Sequence, residues 1–274
     1  MAKIISPGIP LHTIAGALLI GLSVFALGQT SAPAPREGTG VIRLRVRVAL
    51  DTPTKAKGLS RKRFFLIKGT KETNKSLIES FTQRAVLSRD CYYRGLGASE
   101  ALIAWLKQGD CESVYCRDVE AKDVDAVPEF QKAVAAGEKE YGNRDLARKW
   151  LSFNLPENIL SGFYKRQTSD LKRFLEQAES ASKAPVLSVM TDRNGTAFFT
   201  DLAPGPYIIS NILPTEIGGR ATFWNCEITV KPGDLATEKN FLITNPGNKD
   251  TRDQKNIRCQ AVEQPLPACP APTK

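Results

Sequence analysis

The sequence predicts an α+β protein in which a β-sandwich carries a disulfide-braced, all-helical insertion. Three observations lead to this fold class. Apolar and polar residues alternate in two separate stretches, apolar residues recur at helical spacing between them, and six cysteines follow an N-terminal apolar run. We therefore predict a sandwich built from residues 41–69 and 185–245, with residues 72–183 inserted between its second and third strands.

The N-terminal segment, residues 1–28, has the features of a signal peptide. Lys3 precedes a continuous apolar run from Ile14 to Leu27, and small residues around Gly28 fit the cleavage rule. Cleavage after Ala32 is the second choice, and retention as a membrane anchor is the alternative. Because a spanning helix usually needs about 20 apolar residues, we favour cleavage. We expect a periplasmic or extracellular protein that has no transmembrane span after cleavage.

The only histidine of the chain, His12, lies inside this predicted signal peptide. Without an imidazole, the mature chain cannot build a Ser/His/Asp or Cys/His nucleophile. A zinc site that uses imidazole ligands is excluded for the same reason. Catalysis by carboxylates or by lysine stays open. From the sequence we name no catalytic residue, no cofactor and no metal site.

Six cysteines remain after the predicted cleavage, an even number that predicts disulfide bonds in an exported chain. They are Cys91, Cys111, Cys116, Cys226, Cys259 and Cys269. Local pairs are the simplest expectation, with Cys259 bonded to Cys269 and a second bond between two of the three cysteines in the helical stretch. Because no Cys-x-x-Cys motif is present, we expect structural bonds rather than a redox or metal centre.

Positive charge is concentrated near the start of the predicted sandwich. The chain has a formal net charge of +9, and the window from Val41 to Ile78 alone carries a charge of +9, so the rest of the chain is close to neutral. The candidate residues are Arg43, Arg45 and Arg47 on one face of the first strand, and Arg61, Lys62 and Arg63 at the start of the second. They predict either a binding face for an anionic polymer or a solvated face that protects a sheet edge, which we favour. No aromatic residues interleave with them, which argues against specific nucleic-acid binding.

The stretch between the two parts of the sandwich predicts four or five helices, because apolar residues recur there at helical spacing. Trp105 and Trp150 lie in this stretch and are predicted to be core residues. The same stretch carries an acidic run of Asp118, Glu120, Asp123, Asp125 and Glu129. These carboxylates could bind a divalent cation or act as a catalytic pair. We favour a role at helix starts, where negative charge is stabilising.

Five short segments rich in β-branched and aromatic residues follow the helical stretch and predict further strands, for seven in total. Asn194-Gly195 is the strongest hairpin signal among the turns, because both residues tolerate positive φ. Asp192, Asn194 and Asp201 could instead begin a calcium loop. Since the later acidic positions of such a loop are missing, we favour the turn.

The stretch "TDRNGTAFFTDLAPGPYIIS" resembles the carboxypeptidase regulatory-like domain family, which belongs to the transthyretin-like (prealbumin-like) sandwiches. The shared pattern runs Asp192, Asn194-Gly195, Ala197, Phe199, Asp201-Leu202, Pro204-Gly205 and Tyr207. The resemblance implies a seven-strand antiparallel sandwich, but it does not imply the helical insertion. An enzyme branch of this group uses histidines and a C-terminal motif that this chain lacks, so no catalytic residue is carried over.

The tail, residues 246–274, is polar and then proline-rich, which predicts a mobile end apart from Cys259 and Cys269. A strap that docks a partner is the alternative. Together these features predict an exported, non-enzymatic protein for binding, adhesion or assembly at the cell envelope, with a protein or an anionic envelope polymer as its partner. The alternatives are an envelope hydrolase that uses carboxylates of the helical stretch, and a basic module that binds anionic envelope polymers.

Overall fold

The structure is a computed structural model that describes residues 39–49, 56–108, 113–234, 240–248 and 257–269. All of these residues belong to one structural unit, Arg36–Lys274. The predicted signal peptide lies outside the described residues. Within the described ranges, no helix has both the length and the apolar character needed to cross a membrane.

The described chain runs through three strands, eight α-helices and nine further strands. The strands are β1 Gly40–Val48, β2 Lys57–Gly58, β3 Arg63–Lys68, β4 Leu187–Met190, β5 Thr196–Leu202, β6 Gly205–Ser210, β7 Thr215–Ile217, β8 Arg220–Phe223, β9 Asn225–Val230, β10 Asn240–Thr244, β11 Ile257–Gln260 and β12 Val262–Pro265. The helices are α1 Lys75–Gln83, α2 Arg89–Gly95, α3 Glu100–Gln108, α4 Ala121–Ala126, α5 Pro128–Tyr141, α6 Arg144–Lys149, α7 Phe163–Gln167 and α8 Leu171–Ser182. A 3₁₀ turn, Leu151–Phe153, follows α6, and a π-helical turn, Asn158–Gly162, precedes α7.

The strands form three sheets. A five-stranded sheet has the order β11-β10-β1-β2, with β5 also paired to β1, and a four-stranded sheet has the order β4-β3-β6-β9. The smaller third sheet has the order β12-β8-β7. The two larger sheets share one cluster of buried apolar residues, so they form the two layers of a sandwich.

The centre of the sandwich contains Trp224, which is fully buried between β8 and β9. Its indole Nε1 donates a hydrogen bond to the carbonyl oxygen of Thr244 at 2.8 Å, and its ring centroid lies 5.7 Å from that of Phe64. The Asn211 side chain accepts from the Trp224 backbone N–H at 2.9 Å and donates to the Thr222 carbonyl at 3.0 Å. The polar groups of Trp224 and Asn211 are therefore paired, as a stable core requires, whereas the buried Thr222 hydroxyl has no hydrogen-bond partner among the described residues.

Strand β3 is buried on both faces, and this joins the sandwich to the helices. Its four apolar residues, Phe64–Ile67, alternate between the sandwich core and a second cluster formed with α1 and α8. Phe65 and Ile67 belong to the second cluster, in which Phe81 and Phe174 meet edge to face with ring centroids 5.2 Å apart. A continuous apolar run is typical of a strand that is covered on both sides.

The helices between α1 and α8 enclose a core of their own. Trp105 of α3 and Phe130 of α5 lie at its centre with ring centroids 5.1 Å apart, so Trp105 is a core residue as predicted. Ser99 caps α3, since its hydroxyl accepts from the backbone N–H of Leu102 at 3.1 Å. Such caps satisfy N–H groups that a helix leaves unpaired at its start.

The sheet topology departs from the predicted seven-strand antiparallel sandwich. All seven predicted segments form strands, but β2, β7, β8, β11 and β12 are additional. Strand β10 also pairs in parallel with both β1 and β11. The antiparallel prediction is therefore wrong for β10. This strand follows β9 by crossing to the other sheet, and a crossover, unlike a hairpin, permits parallel pairing.

The predicted tail contains regular structure as well. Strand β11 extends the five-stranded sheet, and β12 extends the three-stranded sheet through antiparallel pairing with β8. Residues 257–265 are thus held mostly by backbone pairing, whereas their composition predicts a mobile end.

A disulfide bond between Cys226 of β9 and Cys259 of β11 connects the two layers of the sandwich. A second bond joins Cys91 of α2 to Cys269, and so ties the end of the described tail to the helices. The predicted pair of Cys259 with Cys269 is therefore wrong, because pairing of β11 with β10 places Cys259 beside β9.

Cys116 is also disulfide-bonded. Cys111 lies outside the described residues, so a disulfide within the helical stretch stays a prediction.

The turn between β4 and β5 depends on one aspartate and one glycine. The Asp192 carboxylate accepts from the backbone N–H groups of Asn194 and Thr196, both at 2.8 Å. Gly195 has a φ of 76°, and a Cβ at this position would lie 2.4 Å from the carbonyl oxygen of Val46. Asp192 and Asn194, two of the residues considered for a calcium loop, are thus engaged in the turn that the sequence favours, and Asp201 lies on β5.

We expect Gly195→Ala to lower the free energy of unfolding by about 3 kcal/mol, because it combines an unfavourable φ with a collision against backbone. Urea denaturation would measure the change. Gly233→Ala is the matched control, since Gly233 has the same φ of 76° but no atom within 4 Å of an added Cβ. The control should lose only about 1 kcal/mol. Equal losses in the two variants would contradict a tight approach to Val46.

Candidate functional site

The predicted basic residues fall into two groups on opposite sides of the sandwich. Arg43, Arg45 and Arg47 alternate with the buried residues of β1, so they lie on the outer face of the five-stranded sheet. Arg61, Lys62 and Arg63 lie at the start of β3 and line a cleft on the outer side of the four-stranded sheet. The six cations therefore do not form one continuous patch.

The cations of β1 make contacts within the sandwich. The Arg47 guanidinium donates to the carbonyl oxygen of Ala56 at 2.6 Å. The Arg43 guanidinium lies 5.8 Å from the ring centroid of Phe198, its neighbour on β5. These contacts fit the outer face of a sheet better than a site that holds its cations free for a ligand.

The acidic run of the helical stretch is used mainly at helix starts. Glu120 and Asp123 form a reciprocal capping box on α4, in which Asp123 accepts from the Glu120 backbone N–H at 2.9 Å. Glu129 accepts from both the backbone N–H and the hydroxyl of Ser99 at 2.7 Å, and Asp125 pairs with an arginine of α6. Among the described residues, no three His, Cys, Asp or Glu side chains are grouped so that they could hold a metal ion.

The pKa of Asp123 reflects this capping role. Burial acts to raise the pKa of its carboxyl group, but the Glu120 backbone N–H and the nearby positive charge of Arg117 hold the pKa below its ordinary value. Asp123 is therefore a charged cap at neutral pH rather than a carboxylic acid able to donate a proton.

The prediction that Trp150 is a core residue is wrong, because the residue is 44% exposed. Ala147 and Leu151 are the buried residues of this segment, and they lie one helical turn apart. Leu146 and Trp150 each precede one of them by a single position, so both face outward. The sequence did contain a signal for this outcome. Asn143 caps α6 and turns follow Trp150, so the helix has only six residues.

Three apolar side chains form an exposed surface at the end of α6, which we call the aromatic surface. It consists of Leu146, Trp150 and Phe153, which are 40%, 44% and 68% exposed. The rings of Trp150 and Phe153 are in contact, with centroids 4.8 Å apart. Adjacent exposed apolar side chains are characteristic of interaction sites, and Trp is enriched among residues that dominate protein–protein binding.

The aromatic surface rests on a close contact between helices. Ala147 of α6 packs against α5 at Gly137, where a Cβ would lie only 3.0 Å from that of Ala147. The Arg148 guanidinium donates to the Val119 carbonyl oxygen at 2.9 Å and fixes the other side of α6. Tyr115, which is 60% exposed, lines a shallow cleft together with residues that flank Trp150.

A cluster of ionisable groups lies where α2 meets β7. Burial raises the pKa of Glu216 on β7; the charge of Arg89 opposes this change and the charge of Asp90 adds to it. Lys107 pairs with Asp90 at 2.9 Å. The sequence contained no signal for this cluster, because β7 and α2 are distant along the chain.

We expect Glu216→Gln to stabilise the protein at about pH 8 and to change its stability little at about pH 4. Because the pKa of Glu216 is raised in the folded state, the native state binds more protons than the unfolded state at pH values just above the ordinary pKa of a Glu carboxyl group. That stabilisation is complete at low pH and is lost as the pH rises through the folded-state pKa. Urea unfolding at both pH values would measure the effect, with Glu79→Gln on the exposed face of α1 as control. A destabilised Gln variant at the higher pH would contradict this account.

Comparisons with known proteins do not assign a family. No protein-family model matches the chain, and no curated protein matches it. Among solved structures, the pilus backbone RrgB from Streptococcus pneumoniae aligns at 10% identity and a TM-score of 0.24, over 81% of this chain and 40% of the pilus protein. The chain thus spans less than half the length of that protein. A TM-score of this size identifies neither a family nor a function.

Proposed function

We propose that this chain is an exported, non-enzymatic binding protein that joins an assembly at the cell envelope through its aromatic surface. The observation that carries the proposal is the contact between the exposed rings of Trp150 and Phe153. Two adjacent large apolar side chains are exposed to water here. A partner that covered them would gain the hydrophobic free energy of their burial. The partner that fits best is another protein.

The disulfides support export. Two bonds are described and Cys116 takes part in a further one, and such bonds persist in oxidising compartments such as the periplasm and the cell exterior. The N-terminal sequence features of a signal peptide support the same localisation.

This proposal includes two finer assignments. One is membership of the carboxypeptidase regulatory-like group. The other is a sandwich formed by residues 41–69 and 185–245, with an insertion at 72–183. One contact supports this proposal. The Tyr207 hydroxyl donates to the carbonyl oxygen of Ala203 at 2.8 Å and fixes the Pro-Gly reversal that is part of the resemblance. This hydrogen bond explains in structural terms why a Tyr lies near the start of β6.

The chemistry of the aromatic surface favours a protein over an anionic polymer. Its members are uncharged, and the neighbouring Arg148 is already engaged with a backbone carbonyl. Binding through it should therefore depend on apolar contact and should survive high salt, which screens exposed charges.

We expect Phe153→Ser to reduce capture of the partner from native envelope extract at least about tenfold after a high-salt wash, since single aromatic residues often dominate an interface. The measurement is a pull-down with the mature, oxidised protein, quantified for each captured protein. Phe198→Ser is the matched control, because Phe198 is 48% exposed on β5, on the outer face of the sandwich.

The proposal requires that a captured protein be lost with Phe153→Ser and retained with Phe198→Ser. Equal loss with both variants, or capture that is abolished by salt alone in the unaltered protein, would refute it.

A further inference from the structure

A cleft opens where α7 and α8 meet the outer face of the four-stranded sheet. Phe65 of β3, Leu171 of α8 and Leu213 lie among its apolar lining, and Met190 and Tyr164 lie at its exposed part. The cavity volume is about 100 Å³, which is below that of sites for drug-sized molecules and suits a small ligand or one end of a larger ligand. The cleft is separate from the aromatic surface, since none of its lining residues belongs to that surface.

The charge of the cleft is entirely positive. Arg61, Lys62 and Arg63 line it, and no Asp or Glu is among its lining residues. Its polar remainder comes from uncharged side chains such as Asn211 and Thr215. Three cations in one concave surface with apolar walls raise the local concentration of anions.

Two of these cations have no carboxylate partner within the described part of the chain, in contrast to six of the described arginines. Arg61 donates to the Cys116 carbonyl oxygen at 3.0 Å, and Arg63 donates to the Ser188 hydroxyl at 3.1 Å, but neither forms an ion pair within the described part of the chain. Arginines that do pair with Asp or Glu are Arg84, Arg94, Arg144, Arg148, Arg173 and Arg220. Since a guanidinium has five N–H donors, each of the two retains donors for an anion.

The neutral contacts also position the two arginines. The backbone at Arg61 has a φ of 54°, and its N–H donates to the Thr191 carbonyl oxygen at 3.0 Å. Arg63 lies directly opposite Met190 in the pairing of β3 with β4. The structure thus places a guanidinium next to a thioether that is 52% exposed.

We propose that this cleft binds a small organic anion. Its carboxylate, phosphate or sulfonate group lies on Arg61 and Arg63, where charge-assisted hydrogen bonds are strongest. Its apolar part covers Met190 and Tyr164, which are 52% and 48% exposed. The requirement for both parts excludes inorganic phosphate as a good ligand, because it would leave the apolar side chains in water. A free metabolite or the headgroup region of an anionic lipid would supply the same chemistry.

The test compares charge reversal on the two sides of the sandwich. Arg63→Glu changes the cleft, and Arg45→Glu makes the same change of net charge on the outer face of β1, opposite Thr196 of β5. The soluble probe is anilinonaphthalene sulfonate, followed by its fluorescence, and the lipid probe is a phosphatidylglycerol-containing vesicle, followed by co-sedimentation. Circular dichroism of each variant confirms folding before binding is measured.

We expect Arg63→Glu to weaken binding of at least one probe about tenfold or more, and Arg45→Glu to leave it within about twofold. Loss with the soluble probe identifies a free anion as the source, and loss with vesicles alone identifies a lipid headgroup. Met190→Ser should weaken the same probe without any change of charge. Equal weakening by Arg45→Glu and Arg63→Glu, or no weakening by Arg63→Glu with either probe, would overturn the proposal.

Because the aromatic surface and the cleft share no residue, Phe153→Ser should leave probe binding unchanged. Failure of the cleft proposal therefore leaves the proposed protein-binding function standing, and the reverse also holds.

Discussion

Burial of β3 on both of its faces is the constraint on which the rest of the structure depends. Phe64 and Leu66 complete the sandwich core, and Phe65 and Ile67 complete the cluster with α1 and α8. Each such side chain contributes roughly 2 kcal/mol when it leaves water. The outer face of β3 would be exposed without the helices, and α1 and α8 would lose their apolar support without β3. The sandwich and the helical stretch should therefore fold as one cooperative body rather than as a domain with a loose appendage.

This arrangement explains where the two candidate sites lie. The cleft is formed where β3 and the residues after β6 lie beside α7 and α8, so its cations and much of its apolar lining come from different layers. The aromatic surface lies earlier in the helical stretch, on the short α6 and the turn after it, where Ala147 is held against α5. Disulfides fix the remaining connections, between the sandwich layers through Cys226 and from α2 to the tail through Cys269. Binding surfaces on such a body need little ordering when a partner arrives, which favours affinity.

Local patterns in the sequence were sufficient for most elements and insufficient for contacts between distant segments. The alternation of β1, the apolar run of β3 and the Asn194-Gly195 turn each depend on a few neighbouring residues, and each predicted its structure. The parallel pairing of β10, the bond between Cys226 and Cys259 and the approach of Glu216 to α2 depend on topology, which local periodicity does not encode. The prediction for Trp150 was wrong for a related reason. On a six-residue helix, a shift of one residue in the apolar pattern decides whether a side chain faces the core or the solvent. The cleft could not be foreseen from the charge of Arg61–Arg63, because its apolar lining apart from Phe65 comes from segments more than 90 residues away.

The central claim, that β3 couples the sandwich and the helices, is tested most directly by hydrogen exchange measured by mass spectrometry under native conditions. Amides of β3, α1 and α8 should open with the same free energy, and Phe65→Ala should lower that free energy in all three elements together. Exchange of α1 and α8 at a much lower free energy than β3, or a loss of protection in the helices alone after Phe65→Ala, would contradict the claim.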